Sequence, residues 1–230
     1  MATDRFSFSA VIFDLDGVIT DTSEFHYLAW KRLADELGID FGRADNDRLR
    51  GVSRVRSLEI IFEIGNREMP EKAEAEKLAA KKNEWYKEYL SGMSPNDLLP
   101  GARRVIETVR AAGVKTALGS ASKNAPTVLK RLKITDLFDA TVDGNDVGKA
   151  KPDPEVFLLG AQKLGVDPSL CVVAEDAGAG IEAAIRARMF ALGIGTADGV
   201  EKAELIVPGL GDLELEELET RFKAWRGGRS

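Results

Sequence analysis

Residues 11–21, Val-Ile-Phe-Asp-Leu-Asp-Gly-Val-Ile-Thr-Asp, run a β-branched and aromatic stretch into two aspartates one residue apart, Asp14 and Asp16, and then Gly17. Side chains alternate along a strand, so Asp14 and Asp16 leave its end on one side while Leu15 faces away. Two like charges roughly 4 Å apart repel by about 4 kcal/mol at an effective dielectric of about 20. A cation between them, or a proton on one, relieves that repulsion. Either arrangement is chemistry, in contrast to the plain polar turn that Asp and Gly also build.

In an open α/β sheet ligands bind outside the carboxyl ends of the strands, so polar residues that follow successive strands are read as a set. That set holds Asp14 and Asp16, then Ser120, Ala121, Ser122, Lys123 and Asn124 after the run 114–118, and Glu175 with Asp176 after the run 170–174. Lys151 stands before a helix in Gly-Lys-Ala-Lys-Pro, residues 148–152. Several carboxylates with few neutral ligands describe a hard-cation site, for which Mg²⁺ is the first candidate. The Ser120 hydroxyl and nearby backbone N–H groups at a strand-to-helix turn suit an anion, phosphate foremost. Lys151 adds a point charge for that phosphate or for a nucleophilic carboxylate. Taken singly, Ser120 reads equally well as a helix cap, Lys151 as a surface lysine and the acidic pair as a helix start. Their joint occurrence after successive strands favours a site.

The elements that must position these groups follow from pattern. Strand signals vanish between residues 24 and 89, where three charged amphipathic stretches, 24–37, 54–64 and 71–90, predict helices. Gly38 suits the end of the first, Pro70 the start of the third, and Ser91-Gly92 with Pro95-Asn96 its close. From residue 103 onward helix and short apolar strand alternate, with strands expected at 114–118, 140–142, 170–174, 190–194 and 205–207. Helices between them are expected to begin near Asn124, Pro154 and Ala179. Such alternation predicts an α/β fold, a Rossmann-like parallel sheet covered by helices. The expected domains are a discontinuous core, 1–21 with 93–230, and an all-helical insert, 22–92, carried as a lid. The tail 226–230 is expected to fray.

At 230 residues and 44% hydrophobic the chain can bury a substantial core. Its net charge is −6 and its 32 Lys and Arg are scattered, so no basic stripe invites nucleic acid. The single cysteine, Cys171, excludes an internal disulfide and fits a buried small hydrophobe, which points to a reducing cytoplasm. The start lacks the apolar core of a signal peptide, and no apolar run approaches the roughly 18 residues of a membrane span. Neither nucleic-acid nor membrane partners are expected, and a monomer is.

Asp-x-Asp-Gly followed by Ser120, Lys151-Pro152 and Glu175-Asp176 resembles the haloacid dehalogenase superfamily across almost the whole chain, with the helical insert in the position of its cap. More narrowly, the segment 13–22, His26 with Trp30, Arg50-Gly51-Val52-Ser53-Arg54 with Ser57, Lys82-Asn83 and residues 120–124 resemble the β-phosphoglucomutase family. Arg50 departs from it, since that family usually has lysine before the glycine, and guanidinium keeps the charge but changes the hydrogen-bond geometry.

The resemblance implies interconversion of β-glucose 1-phosphate and β-glucose 6-phosphate through β-glucose 1,6-bisphosphate. It implies that Asp14 is the nucleophile that becomes an aspartyl phosphate and that Asp16 is the general acid and base. Mg²⁺ would be held by Asp14, Glu175, Asp176 and the backbone carbonyl of Asp16, while Ser120 and Lys151 would hold the transferring group. Arg54, whose planar fork can grip a phosphate in two places, is expected to hold the second phosphate with Ser122, Lys123 and Asn124. Gly51, Val52, Ser53, Ser57 and Ala121 complete the expected substrate contacts. A lone helix histidine is ordinarily a packing residue, but the resemblance casts His26, with Thr22 at the hinge, as a support for Asp16, and Lys82 as a link to the closed cap. A sugar-phosphate phosphatase is the open alternative, because the core residues serve it equally and only the 50–57 segment argues for a second phosphate grip. A noncatalytic sugar-phosphate sensor is a further one, against which the intact acidic set argues.

Overall fold

The structure, a computed structural model, describes residues 6–49, 52–196 and 198–228. The chain groups into two compact units: one takes the chain up to Asp21 and again from Ser94, and the other is Thr22–Met93.

In the first unit the described residues form one parallel sheet from β1 (Ala10–Phe13), β2 (Lys115–Gly119), β3 (Ala140–Val142), β4 (Cys171–Glu175), β5 (Phe190–Ile194) and β6 (Leu205–Val207). The strand order is β3-β2-β1-β4-β5-β6. Every residue of β1, β4 and β5 is buried, as a sheet covered on both faces requires, which explains their continuous apolar runs. Ile12, Val173, Phe157 and Ile181 meet in one apolar cluster on one side of the sheet. Chain order reverses between β1 and β4, which pair in parallel from Ala10 with Cys171 to Phe13 with Ala174. A crevice opens at such a switch point, and Asp14 and Glu175 stand at its lip.

The helical unit is built from α1 (Ser23–Glu36), a single turn α2 (Arg43–Asn46), α3 (Arg54–Ile64) and α4 (Lys72–Leu90). Three features depart from expectation. The third long helix begins at Lys72 with Glu71 as its cap, so Pro70 lies just outside it, and the short turn at 43–46 carries no periodicity long enough to read. Met93 groups with the helical unit rather than the core.

In the sheet unit the remaining helices are α5 (Ala102–Ala111), α6 (Ala125–Leu132), α7 (Glu155–Leu164), α8 (Gly178–Arg186) and α9 (Leu215–Gly227). The last corrects the first part of the tail expected to fray: Arg226 and Gly227 are helical, because Leu215, Leu218 and Phe222 bury one face of α9 and Phe222 packs edge-on against Phe8, while residues 229 and 230 lie outside the described residues. No helix among the described residues is long and apolar enough to cross a membrane.

Candidate active site

The end of β1 delivers Asp14 into the crevice, 7% exposed, with its backbone N–H donating to Ala174 O on β4 at 2.9 Å. The chain then turns: Gly17 has φ +74° and donates to Thr20 O, while Ile19 and Thr20 both donate to Leu15 O. Gly17 is needed twice over, for its left-handed backbone and because a Cβ there would stand 1.9 Å from Asp176 Oδ2. Glu175, at the tip of β4, is seated in the same manner over Gly180 of α8, where a Cβ would meet its Cδ at 2.0 Å.

Carboxylate oxygens of Asp14, Glu175 and Asp176 lie within 4.8 Å of one another. Lys151 donates to Asp14 Oδ1 at 2.6 Å and to Glu175 Oε2 at 2.8 Å. Burial alone would lower the Lys151 pKa, but the charges of Asp14 and Glu175 outweigh it and hold the ammonium above its ordinary range. One ammonium does not neutralise three acids. Burial and the neighbouring Asp14 raise the Glu175 pKa, and burial, Asp14 and Asp16 push Asp176 up to about 7. A crowded, buried, all-oxygen set in which Glu175 and Asp176 resist ionisation fits a hard divalent cation. The Asp16 carboxylate is not one of the three clustered groups among the described residues, which leaves its backbone carbonyl as the atom the sequence reading assigned to a metal.

Ser120 follows β2, 2% exposed, and donates its backbone N–H to Val142 O at 3.0 Å. Its Oγ accepts from Ser122 N at 3.1 Å, and Ser122 Oγ accepts from Asn124 N at 3.3 Å, so the loop is folded on its own hydroxyls ahead of α6. Ala121 and Lys123 are exposed and Asn124 is buried. The loop that carries Lys151 is tied down by Glu155 at the start of α7, whose carboxylate accepts from Gly148 N and Lys149 N.

The helical unit gathers a second constellation. Lys82 on α4 is 2% exposed, its Nζ 2.9 Å from His26 Nδ1 and over the rings of Trp30 at 4.6 Å and Tyr86 at 5.0 Å. The Tyr86 ring lies against His26 at 4.1 Å, tilted by 31°, and Tyr86 donates its hydroxyl to Thr22 Oγ1 at 3.0 Å. Arg54, at the start of α3, donates to Asn83 Oδ1 at 2.8 Å. Burial, with Lys82 and Arg54, holds the His26 pKa well below its ordinary value, so the ring is neutral. When Lys82 is protonated it donates to Nδ1, and the ring proton is then on Nε2. Burial and Arg54 lower the Lys82 pKa to about 7. Ser53 caps α3 by accepting from Arg56 N, Ser57 is buried within that helix, and Val52 is 38% exposed. Gly51 and Arg50 lie outside the described residues.

Tyr86 escaped the sequence reading, although it stands one turn beyond Lys82 and so shares its face. Gly180 also escaped it, since nothing in spacing says that a glycine five residues on makes room for Glu175.

Residues 8–188 match the haloacid dehalogenase-like hydrolase family. The chain belongs to that family. It is 45% identical over 218 residues to a β-phosphoglucomutase of Bacillus subtilis, covering 94% of this chain and 96% of the relative. A crystal structure of β-phosphoglucomutase from Clostridium difficile superposes with a TM-score of 0.90 at 40% identity, over 96% of this chain and 99% of that one. A phosphorylated carbohydrates phosphatase of Thermotoga maritima is 34% identical over 76% of this chain and 79% of its own length.

Proposed function

We propose that the protein is a phosphotransferase that interconverts β-D-glucose 1-phosphate and β-D-glucose 6-phosphate through β-D-glucose 1,6-bisphosphate. The single observation that carries this is the coincidence of a nucleophile-bearing acidic crevice with 45% identity to a β-phosphoglucomutase across nearly the full length of both chains.

In this mechanism a carboxylate oxygen of Asp14 attacks phosphorus and the bond from phosphorus to the sugar oxygen breaks, leaving an aspartyl phosphate. Asp16 gives its proton to the departing oxygen. In the other half of the cycle Asp16 takes the proton of the free hydroxyl of a glucose monophosphate, which attacks the aspartyl phosphate, forming the bisphosphate and freeing Asp14. The ammonium of Lys151, anchored on Asp14 and Glu175, and the hydroxyl of Ser120 stabilise the charge on the transferring group. Asp14, Glu175 and Asp176 would hold Mg²⁺, which when bound offsets the repulsion between carboxylate and phosphate.

Arg54, oriented by Asn83, is the proposed grip for the phosphate that is not being transferred, and Ser122, Lys123, Asn124 and residues 51–53 are the further proposed substrate contacts. Turning the bisphosphate around presents either sugar oxygen to the same pair of aspartates. The helical unit is the proposed cap, in which Thr22 and His26 would support Asp16 and Lys82 would link to the closed state, and the contacts Lys82–His26, His26–Tyr86 and Tyr86–Thr22 join these residues within that unit. The cytoplasm is the proposed location, supported by Cys171, buried in β4 with its thiol pKa pushed up to about 12 by burial.

Anomer-resolved phosphorus NMR with β-glucose 1-phosphate, Mg²⁺ and catalytic bisphosphate tests this. Glucose 6-phosphate accumulating with little inorganic phosphate is the expected result. Rapid phosphate release with no glucose 6-phosphate would make the protein a phosphatase instead.

A further inference from the structure

The loop after β2 rests against a second loop that the mechanism above does not use. Residues 143–146, Asp-Gly-Asn-Asp, leave the end of β3, the edge strand beside β2. The loop is knotted internally: Asp143 Oδ1 accepts from both Asn145 N and Asn145 Nδ2 at 2.7 Å, and Asp146 Oδ2 accepts from Asp143 N at 2.9 Å. Lys163 on α7 pairs with Asp146 at 3.3 Å and fixes the far side.

From this base two bonds reach across. Gly144 N donates to Ser122 O at 3.4 Å, and Asn145 Nδ2 donates to Lys123 O at 3.3 Å. Contact is closest at Gly144, where a Cβ would stand 2.2 Å from Ala121 O and 3.0 Å from Ala121 C. The Gly144 backbone is not in the left-handed region, so its dihedrals do not call for glycine. What calls for it is the space taken by the neighbouring backbone.

We propose that residues 143–146 are a brace that sets the position of the anion-holding loop 120–124, with Gly144 and Asn145 as positioning residues. The inference rests on the assignment of that loop to phosphate binding under Proposed function. Ser120, Ser122 and Lys123 hang from a backbone whose carbonyls at 121, 122 and 123 are each touched by the brace. Alanine at 144 must push that backbone away by about 1 Å, and a misplacement of that size costs on the order of 10²-fold in rate. Loss of the Asn145 side chain removes one restraint without a push, and its expected effect is smaller.

The test compares wild type, Gly144→Ala and Asn145→Ala in the presence of Mg²⁺. It measures kcat and KM for isomerisation, the Kd of inorganic phosphate by calorimetry, and the thermal midpoint. For Gly144→Ala, kcat/KM is expected to fall about 100-fold and phosphate affinity to weaken at least about tenfold. Asn145→Ala is expected to show both changes at roughly a tenth of that size, with KM affected more than kcat. If Gly144→Ala fails to fold, Asn145→Ala carries the test alone. Variants that melt lower but match wild type within about twofold in kcat, KM and phosphate Kd would reduce the turn to a structural element and overturn the brace. A wild type that binds no phosphate removes the loop's anion role and the brace with it. A wild type that binds phosphate without isomerising, while Gly144→Ala binds it less well, would leave the brace standing and sink the proposed activity.

Discussion

The two units bury charge of opposite sign. In the sheet unit Asp14, Glu175 and Asp176 crowd together, Lys151 is hydrogen-bonded to Asp14 and Glu175, and burial pushes the pKa values of Glu175 and Asp176 up. In the helical unit Lys82, His26 and Arg54 share a neighbourhood with aromatic rings, and burial pushes basic pKa values down. No ion pair joins Lys82 to a carboxylate among the described residues; its neighbours are Trp30, Tyr86 and a neutral imidazole. Each unit thus carries a desolvation cost that a ligand of the opposite charge reduces, a divalent cation in the first and an anionic substrate in the second.

Removing one counter-charge breaks the comparison most sharply. Stripping Mg²⁺ with a chelator is expected to lower isomerisation by about three orders of magnitude or more, since the cation supplies several kcal/mol of charge stabilisation, and adding it back restores turnover. Lys151→Ala removes the other positive charge from the acidic crevice and is expected to cost about 10²–10³-fold in kcat, as loss of a preorganised charge donor does. A variant that keeps wild-type kcat would show Lys151 to be a structural anchor.

On the helical side, Arg54→Lys keeps the charge but loses the planar fork that bonds Asn83. An approximately tenfold rise in KM for the bisphosphate with kcat nearly unchanged is expected, about 1.4 kcal/mol of uniform binding. Equal losses in kcat and kcat/KM would instead mean that Arg54 acts in the transition state.

The smallest effect is on stability, and the two units are expected to answer pH in opposite directions. Asp176 titrates near 7 when folded and near 4 when unfolded, so between those values the metal-free native state binds more protons than the unfolded one. Stability therefore falls as pH rises through that window, and the thermal shift on adding Mg²⁺ should be larger at pH 8 than at pH 6. Lys82 has the reverse sign: near 7 when folded and about 10.4 when unfolded, it adds stability as pH rises above 7. Lys82→Met should flatten that upper limb, by a few degrees in the thermal midpoint, and leave the lower limb alone. Melting curves in chelator from pH 5 to 10 check both arms.

These contrasts also explain what the residue order makes legible. The buried strands announce themselves, because a parallel sheet covered on both faces needs continuous runs such as 171–174, and the groups just after them fall at one edge by topology alone. The acidic crevice is accordingly readable from Asp14, Ser120 and Glu175 before any coordinates. The basic cluster is not. His26 and Lys82 are 56 residues apart on different helices, and neither spacing nor amphipathicity says that they meet. Only the family resemblance pointed to them, and it did not single out Tyr86. The loop 143–146 is less visible still: its bonds run from one irregular segment to another, and Asp-Gly-Asn-Asp reads as an ordinary turn.

In the proposed mechanism every turnover passes phosphorus through Asp14. The most direct measurement is intact-protein and peptide mass analysis after rapid acid quench of enzyme mixed with β-glucose 1,6-bisphosphate and Mg²⁺, run alongside Asp14→Asn. One phosphoryl group on the peptide containing Asp14, formed and lost as fast as turnover and absent from the amide variant, is the expected result. An Asp14→Asn protein that isomerises at the wild-type rate, or a phosphoryl group found on another residue, would contradict it.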